Sequence, residues 1–479
     1  MHETQDYNLN MSNPILNLSA TELSTAIRAG TLTVEDVVSA YLDQIDASNP
    51  AINAIISLRP RDEIMAEAAE MSRSDPTGAL HGLPIAIKDL ADTKDLRTTH
   101  GSPIFKDHIP KADSLMVSRL RQAGALIIGK TNTPEFGLGS HTYNPVSGPT
   151  RNPYDLTRSA GGSSGGAGAA LAARMVPLAD GSDMMGSLRN PAGWNNFYGF
   201  RPSYGLVPSN PVGEAFLHQL STAGPMARSV EDLELLLRVM AGPDPRSPHS
   251  GATFTQMDAR PVKGTRIGWI GDWAGYFPME PGVLELCENG LATLADLGCD
   301  IEPLKPEFSP EKLWHSWITL RSWDIAGSYS YLYENPETRN LLKPELIWEI
   351  ESGLSLSARD INNASEIRSE WFRSVAKMAD IDIMALPSAQ VFPFDVTLDW
   401  PREIAGRKMD TYHRWMEVVI PASLIGLPAL SVPVGFGQNG LPMGLQLIGH
   451  RGSDARVLGL GHAYHQRTLW PQKHPPLLG

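Results

Sequence analysis

The sequence predicts an α/β fold in which a buried, largely parallel sheet is covered by helices on both faces. Short apolar runs of strand length alternate with stretches that have the spacing of amphipathic helices, which is typical of parallel strands joined by helical crossovers. Hydrophobic residues make up 42% and charged residues 19% of the 479 residues, so the chain can bury a large core. No internal repeat interrupts this alternation.

The elements of the first half follow in order from local signals. Residues 1–13 form a polar tail. A helix is predicted after it, because Ser19 and Glu22 have the spacing of a capping box at a helix start. A second, amphipathic helix is predicted at 33–45. Strands are then predicted by four short apolar runs separated by helical patterns: NAIISL (53–58), PIAIKDL (84–90), ALIIGK (125–130) and MVPLAD (175–180).

The second half resumes the same pattern after a linker. SVEDLELLLRVMAG (229–242) predicts another capped helix, and 242–262 is the most linker-like stretch of the chain. Strand-like runs then return: GTRIGWI (264–270), IDIMALP (381–387), PALSVPV (428–434) and GLQLIG (444–449). A domain boundary at the linker is one alternative. We expect a single domain over 1–479, because the same strand pattern occurs on both sides.

The composition indicates which binding partners and which cellular compartment to expect. The formal net charge of −13 disfavours a nucleic-acid partner. Cys287 and Cys299 are the only cysteines, so we expect no disulfide framework and a reducing, cytoplasmic location. The sequence has no signal-peptide pattern. It also has no apolar stretch of roughly 20 residues, so we expect no membrane-spanning helix. No His, Cys or carboxylate cluster has metal-ligand spacing, so we expect neither a metal nor another cofactor. A homodimer remains open.

The segment GALIIGKT (124–131) matches the P-loop pattern G-x-x-x-x-G-K-T. The mechanism behind that motif needs a polar loop of free N–H groups between a strand and a helix. Here the middle residues, 125–128, are apolar and belong to a predicted strand. We therefore disfavour a nucleotide site and interpret Lys130 as a structural residue at a strand end.

The glycine-rich loop GGSSG (161–165) matches the nucleophile turn of α/β-hydrolases, with Ser163 as the nucleophile. That turn needs an apolar strand directly before the serine and a helix directly after it. A helix is predicted at 167–174, but the preceding stretch at 152–160 is polar and typical of a turn. A Ser-His-Asp esterase is therefore a disfavoured alternative, because the apolar strand is missing. A flexible linker is also disfavoured, because a helix follows the glycine loop at once.

A second small-residue turn, DGSDMMGSLRNPAG (180–193), carries Ser187 directly after Gly186. Consecutive backbone N–H groups around such a serine can converge on a developing oxyanion. An activated serine also needs a base. Lys88 ends an apolar strand, where burial would favour its neutral form, although solvent exposure is the ordinary state of a strand-end lysine.

Three stretches together resemble the amidase signature family: GLPIAIKDL (82–90), the long segment 161–208, and PALSVPVGFGQNGLPMGLQLIG (428–449). The similarity covers nearly the whole chain. It implies one α/β domain around a large, twisted mixed sheet covered by helices on both faces. It also implies an amidohydrolase that forms an acyl-enzyme on a serine.

Matching this chain to the family residue by residue implies a Ser–cis-Ser–Lys triad. Ser187 stands at the position of the nucleophile, Ser163 at that of the serine after a cis peptide bond, and Lys88 at that of the base. Ser163 would relay a proton from Ser187 to Lys88 and later return one to the leaving nitrogen. The implied oxyanion donors are the backbone N–H groups of Met184, Met185, Gly186 and Ser187.

The nucleophile loop departs from the family, which usually has Asp-x-Gly-Gly-Ser where this chain has DMMGS (183–187). A methionine adopts positive φ only at a cost, and its side chain needs space. We therefore expect Met185 to reshape the wall beside the oxyanion site without abolishing catalysis. Asp183 and Arg189 are implied as structural supports, and Ser164 as a helix N-cap or a loop hydrogen bond.

The helical segment 305–380 varies most in the family, and we expect it to determine substrate specificity. It carries Trp314, Trp317 and Arg321 at helical spacing, a pattern of core residues or of an aromatic substrate channel. We expect the substrate to be an uncharged amide with a hydrophobic or aryl group on its nitrogen side. We expect carbamates (urethanes) to be further substrates. The alternatives are an amidase of small primary amides and a glutamine-hydrolysing amidotransferase subunit.

Overall fold

The computed structural model describes residues 13–472, so all of the predicted tail except Asn13 lies outside the described residues. The helices are α1 (Ala20–Arg28), α2 (Val34–Ile52), α3 (Arg61–Arg73), α4 (Leu115–Gln122), α5 (Gly165–Ala172), α6 (Arg189–Trp194), α7 (Val230–Met240), α8 (Val283–Asp296), α9 (Pro310–Glu334), α10 (Pro336–Arg339), α11 (Pro344–Leu354), α12 (Ala358–Lys377), α13 (Ile420–Ser423) and α14 (Asp454–Thr468).

The strands are β1 (Ile55–Ile56), β2 (Pro84–Lys88), β3 (Leu126–Thr131), β4 (Arg151–Asn152), β5 (Asp155–Ser159), β6 (Leu178–Asp183), β7 (Tyr198–Arg201), β8 (Thr222–Ala227), β9 (Arg266–Trp269), β10 (Asp300–Pro303), β11 (Ile383–Pro387), β12 (Glu403–Ile404), β13 (Arg407–Lys408), β14 (Ala429–Phe436) and β15 (Pro442–Gly449). Every strand predicted from an apolar run is present, because each run supplies the side chains of a buried ladder.

Helix starts follow the predicted capping signals. The Ser19 hydroxyl accepts the N–H of Glu22, and the Glu22 carboxylate accepts the N–H of Ser19 at 2.7 Å. Ser229 begins α7 by accepting the N–H of Asp232. These contacts satisfy N–H groups that the first helical turn leaves without partners, which is why such short patterns locate helix starts reliably.

Strands from both sides of the linker form one eight-stranded sheet in the order β10-β9-β11-β15-β14-β7-β8-β6. The large mixed sheet that the resemblance implies is therefore confirmed. The expectation of a largely parallel sheet is wrong, because only β10–β9 and β9–β11 pair in parallel and the other five pairs are antiparallel. Continuous apolar runs report burial on both faces of a strand, and this burial does not require parallel pairing.

A smaller sheet, β1-β3-β2, carries the lysines at its strand ends. Strands β2 and β3 are parallel, and Lys88 pairs with Thr131 in their register. The N–H of Lys88 also donates to Asp180 Oδ1 at 3.0 Å, which joins the end of β2 to β6 of the large sheet. Residues 126–131 are strand throughout, as predicted for the apolar middle of the P-loop-like motif.

The stretch before the glycine loop was predicted to be a turn, and this is wrong in part. Strand β5 lies there, paired with β4 in a two-stranded ribbon separate from the large sheet. Its residues are mostly polar, because all of them except Ser159 are only half-buried or exposed. Helices α9–α12 occupy most of 305–380, and 242–262 holds no helix or strand. The division into one domain and these two segments stays a prediction.

No helix within residues 13–472 is long and apolar enough to cross a membrane. Cys287 and Cys299 are both buried free thiols. They fill positions in the main hydrophobic core.

Candidate active site

Lys88 lies at the centre of a cluster of serine hydroxyls. Its side chain is 1% exposed at the end of β2. The ammonium nitrogen Nζ lies 2.8 Å from Ser163 Oγ, 2.9 Å from Ser164 Oγ and 3.0 Å from Ser182 Oγ. A hydroxyl can both donate and accept a hydrogen bond, so this cluster can accommodate a charged or a neutral lysine.

Burial also changes the protonation of this lysine. Desolvation lowers the pKa of Lys88 to about 7, against the opposing attraction of the Asp180 and Asp183 carboxylates. An ordinary lysine has a pKa near 10.4 and is almost never neutral at pH 7. Lys88 is therefore able to accept a proton near neutral pH, which is the property that a general base needs.

The glycine loop holds Ser163 against Lys88 and against the residues that follow β3. The peptide bond between Gly162 and Ser163 is cis, as the resemblance implies. The Ser163 carbonyl accepts a hydrogen bond from Thr133 Oγ1 at 3.0 Å. Glycine is required nearby, because a Cβ on Gly166 would lie 2.3 Å from the backbone nitrogen of Asn132. The loop packs too tightly against its neighbours for larger residues.

Ser164 was predicted to cap a helix or to make a loop hydrogen bond. It occupies the N-cap position of α5, but its hydroxyl makes no capping bond and lies beside Lys88 Nζ instead. The N-cap interpretation of its side chain is therefore wrong, and the alternative, a hydrogen bond made by this loop residue, is confirmed. Burial at the centre of the cluster favours contact with the lysine, because Nζ needs partners that water cannot supply there.

Asp183 and the arginines around it support the nucleophile loop. The Asp183 carboxylate accepts hydrogen bonds from Arg189 Nε and Nη2, both at 3.0 Å, and pairs with Arg201 Nη1 at 3.1 Å. All three side chains are fully buried. Burial opposes ionisation of Asp183, but the two guanidinium groups outweigh it and hold the pKa of Asp183 well below its ordinary value.

The same carboxylate also binds the backbone of the loop. It accepts the N–H of Gly186 at 2.9 Å and the N–H of Leu188 at 3.2 Å. Gly186 has the positive φ of the turn, +83°, whereas Met185 is not among the described residues with positive φ. Met185 therefore does not adopt the positive φ that is costly for a methionine.

These contacts correct one predicted oxyanion donor. The N–H of Gly186 is occupied by Asp183, so it is not free to bind an oxyanion. Within residues 13–472, the N–H groups of Met184, Met185 and Ser187 have no protein acceptor. These three amides remain as the candidate donors.

Ser163, Ser182 and Ser187 line one cavity of about 310 Å³. Its apolar wall includes both methionines of the nucleophile loop and the following side chains: Phe136, Leu138, Ile325 and Tyr329. The rings of Phe136 and Tyr329 lie 4.9 Å apart between centroids. Within the described chain, no hydrogen bond joins a histidine to Ser163 or Ser187, which gives the Ser-His-Asp alternative no base.

The tryptophans of α9 are core residues. Trp314 and Trp317 are 5% and 0% exposed and belong to the main core, and neither is among the described residues that line the cavity. The hypothesis that they form a substrate wall is therefore wrong. The same face of α9 does reach the cavity farther along, from Arg321 to Tyr329, so the helix contributes but through later turns.

Three residues of the site were missed. Asp180 and Ser182 both face Lys88 from β6, and their i, i+2 spacing on a strand was the available signal. Arg201 lies far from Asp183 in sequence, and only the pairing of β6 with β8 and β7 brings it near. Within residues 13–472 there is also no cluster of three His, Cys, Asp or Glu side chains that could hold a metal ion.

A family model described as Amidase matches residues 36–458. An acylamidase from Rhodococcus erythropolis is 34% identical, with 96% of this chain and 97% of the relative covered. One of the subunits of the glutamyl-tRNA(Gln) amidotransferase from Thermus thermophilus is also 34% identical, with 96% of this chain and 99% of the relative covered. Both similarities extend over nearly the full length of each protein.

Solved structures agree with the sequence comparisons. A bacterial aryl acylamidase of the amidase signature family superposes with a TM-score of 0.90 at 29% identity, covering 98% of this chain and 99% of that one. A substrate complex of 6-aminohexanoate cyclic dimer hydrolase gives 0.86 at 25% identity, covering 98% and 100%. The chain therefore belongs to the amidase signature family and is a hydrolase that acts on carbon–nitrogen bonds.

Proposed function

We propose that this protein hydrolyses uncharged carboxamides through an acyl-enzyme, with Ser187 as nucleophile, Ser163 as proton relay and Lys88 as base. The observation that carries this proposal is the 2.8 Å contact between Lys88 Nζ and Ser163 Oγ, beside a cavity that Ser163 and Ser187 both line. A lysine with a pKa of about 7 supports the base role.

The proposed reaction begins with neutral Lys88. Ser163 gives its proton to Lys88 Nζ and takes one from Ser187 Oγ, which attacks the substrate carbonyl carbon. The relay then reverses: Ser163 delivers a proton to the substrate nitrogen while the C–N bond breaks and the amine leaves. Water attacks the resulting ester of Ser187 by the same relay, which releases the acid and restores the serine.

The developing oxyanion needs donors that are already in position. The N–H groups of Met184, Met185 and Ser187 are the proposed donors, because they have no protein acceptor among the described residues. Asp183 supports the loop that carries them, as its carboxylate binds the Gly186 and Leu188 amides. Preorganised donors of this kind stabilise the transition state without further reorganisation.

We propose that the preferred nitrogen-side group is hydrophobic or aromatic. Phe136, Ile325 and Tyr329 give the cavity an apolar wall that suits a ring, and a ring buried there gains about 1.5–3 kcal/mol of transfer free energy. The similar acylamidase and aryl acylamidase support an amide of this class. A carbamate has the same carbonyl–nitrogen bond, so the same steps extend to urethanes.

A glutamine-hydrolysing amidotransferase subunit is the second candidate. Its support is the 34% identity to one of the amidotransferase subunits, together with Arg321 and Asp324, which could face the charged ends of glutamine in the cavity. Arg321, however, is already paired with buried Glu349 at 3.0 Å. A guanidinium that is neutralised within the protein attracts a substrate carboxylate less, so we prefer the acylamidase proposal.

A substrate panel tests both candidates on the purified wild-type chain. We expect kcat/KM for acetanilide to exceed that for propionamide by more than about tenfold, because only the anilide fills the apolar wall. An aryl carbamate, an ester and glutamine complete the panel, and Ser187→Ala gives the background rate. A preference for propionamide would contradict the substrate class. Hydrolysis of glutamine alone would favour the amidotransferase candidate.

A further inference from the structure

The substrate cavity contains a carboxylate that the proposed reaction does not use. Asp324 lies on α9 and lines the cavity. Arg321 precedes it on the helix, and two apolar lining residues, Ile325 and Tyr329, follow it. Asp324 is 8% exposed. A carboxylate that is this buried needs hydrogen-bond donors, because burial removes it from water.

The protein supplies Asp324 with few donors. Within residues 13–472 its hydrogen-bond donor is Ser328 Oγ, at a long 3.4 Å, and its ion-pair partner is His218, whose Nδ1 lies 3.8 Å from the same oxygen, Oδ1. Both contacts involve Oδ1 and are at the weak end of the range. No partner among the described residues lies within hydrogen-bond distance of Oδ2.

The nearby guanidinium does not compensate for this shortage. Arg321 directs Nε and Nη2 to Glu349, and Nη2 also donates to the Tyr412 hydroxyl at 2.9 Å. Its remaining nitrogen, Nη1, contacts Met184 Sδ at 3.4 Å. Burial consequently raises the pKa of Asp324 above its ordinary value, although His218 and Arg321 oppose the change.

We propose that Asp324 is a specificity-determining residue whose carboxylate accepts a hydrogen bond from the nitrogen-side group of the substrate. The preferred substrates then carry an N–H or O–H donor on an otherwise apolar ring: the ring contacts Ile325 and Tyr329, and its donor binds Asp324. This inference rests on the proposed amide hydrolysis and narrows its substrate class.

Two anilides of nearly equal size test the proposal: 4-(hydroxymethyl)acetanilide, which has a donor, and 4-ethylacetanilide, which has none. We expect wild-type kcat/KM to favour the hydroxymethyl substrate by about tenfold or more, the size of effect of one hydrogen bond to a charged acceptor. Equal kcat/KM values for the two anilides would overturn the proposal.

Variants separate recognition from structural damage. In Asp324→Leu the ratio of the two kcat/KM values should fall to about one. In Asp324→Asn, which keeps an acceptor oxygen, it should lie between Asp324→Leu and wild type. Ser328→Ala, which removes a donor to Asp324 but leaves the carboxylate, should keep the wild-type ratio. If both substrates lose activity equally in Asp324→Leu, the residue is structural and the proposal is wrong.

The remaining outcomes are also decisive. Should Asp324→Leu fail to fold, as judged by circular dichroism, the Asp324→Asn ratio alone decides: a wild-type ratio overturns the proposal and a reduced one supports it. Should wild type hydrolyse neither anilide, the proposed function itself fails and this inference with it. That result is distinct from equal hydrolysis of both anilides, which overturns only the role of Asp324.

Discussion

Lys88 and Lys130 lie at the ends of the neighbouring strands β2 and β3, and both are buried. Desolvation lowers the pKa of Lys88 to about 7 and that of Lys130 to about 8, with nearby carboxylates opposing in each case. Burial and a lowered pKa therefore do not distinguish the two lysines. Their hydrogen-bond partners do.

Lys88 Nζ contacts three serine hydroxyls, each of which can donate or accept. Lys130 Nζ donates to the carbonyl oxygen of Ala91 at 2.5 Å and to Thr93 Oγ1 at 2.9 Å. A carbonyl oxygen only accepts, and Thr93 Oγ1 already donates its proton to that carbonyl, so both partners of Lys130 accept from it and favour its charged form. The comparison teaches that the partners of a buried lysine, more than its burial, indicate whether it can act as a base.

The largest expected effect separates the two lysines by activity. Lys88→Met should lower kcat/KM for an anilide by about 10²–10⁴-fold or more, because it removes the proposed base. Lys130→Met makes the same change in size and charge next to it and serves as the control. Steady-state kinetics on both folded variants give the result, and equal losses of activity in the two would contradict the comparison.

The pH profile is the next largest effect. Neutral Lys88 is the proposed active form, so kcat/KM should rise about tenfold per pH unit below pH 7 and level off above it. The Asp180 carboxylate raises the pKa of Lys88, so Asp180→Asn should move the midpoint to lower pH. A profile that rises as pH falls towards 6, as protonation of an essential histidine would give, contradicts the assignment.

The smallest expected effect on activity is that of Lys130→Met, which should change kcat/KM by less than about threefold in the folded protein. Its effect is on stability, because the Thr93 hydroxyl oxygen loses its donor and the Ala91 carbonyl keeps only the hydrogen bond from Thr93 Oγ1. An unsatisfied buried acceptor costs about 1–3 kcal/mol, so the free energy of unfolding in urea should fall by that amount. Unchanged stability together with lost activity would indicate a catalytic Lys130.

The sequence predicts features that depend on neighbouring residues and fails where distant segments meet. The Ser19 capping box and the strand before Lys88 are local patterns, and both are present. Strand direction was mispredicted because a strand buried on both faces has the same apolar run in either direction. Arg201 was missed because its contact with Asp183 exists only once the strands pair.

The substrate wall shows the same limit within one helix. Trp314, Trp317 and Arg321 are all buried on α9, so helical spacing correctly groups them. Spacing does not reveal that the core covers this face at Trp314 and that the cavity begins at Arg321. In the nucleophile loop, the family resemblance implies four backbone N–H donors, whereas Asp183 occupies the N–H group of Gly186.

Covalent labelling tests the central claim, that Ser187 is the nucleophile and Ser163 its relay, most directly. A fluorophosphonate should label the wild-type chain on Ser187, as read by peptide mass spectrometry, and should not label Ser187→Ala. Ser163→Ala should label slowly and keep a residual activity, because water can replace a relay hydroxyl. Label on Ser163 of the wild-type chain, or undiminished labelling of Ser187→Ala, would contradict the account.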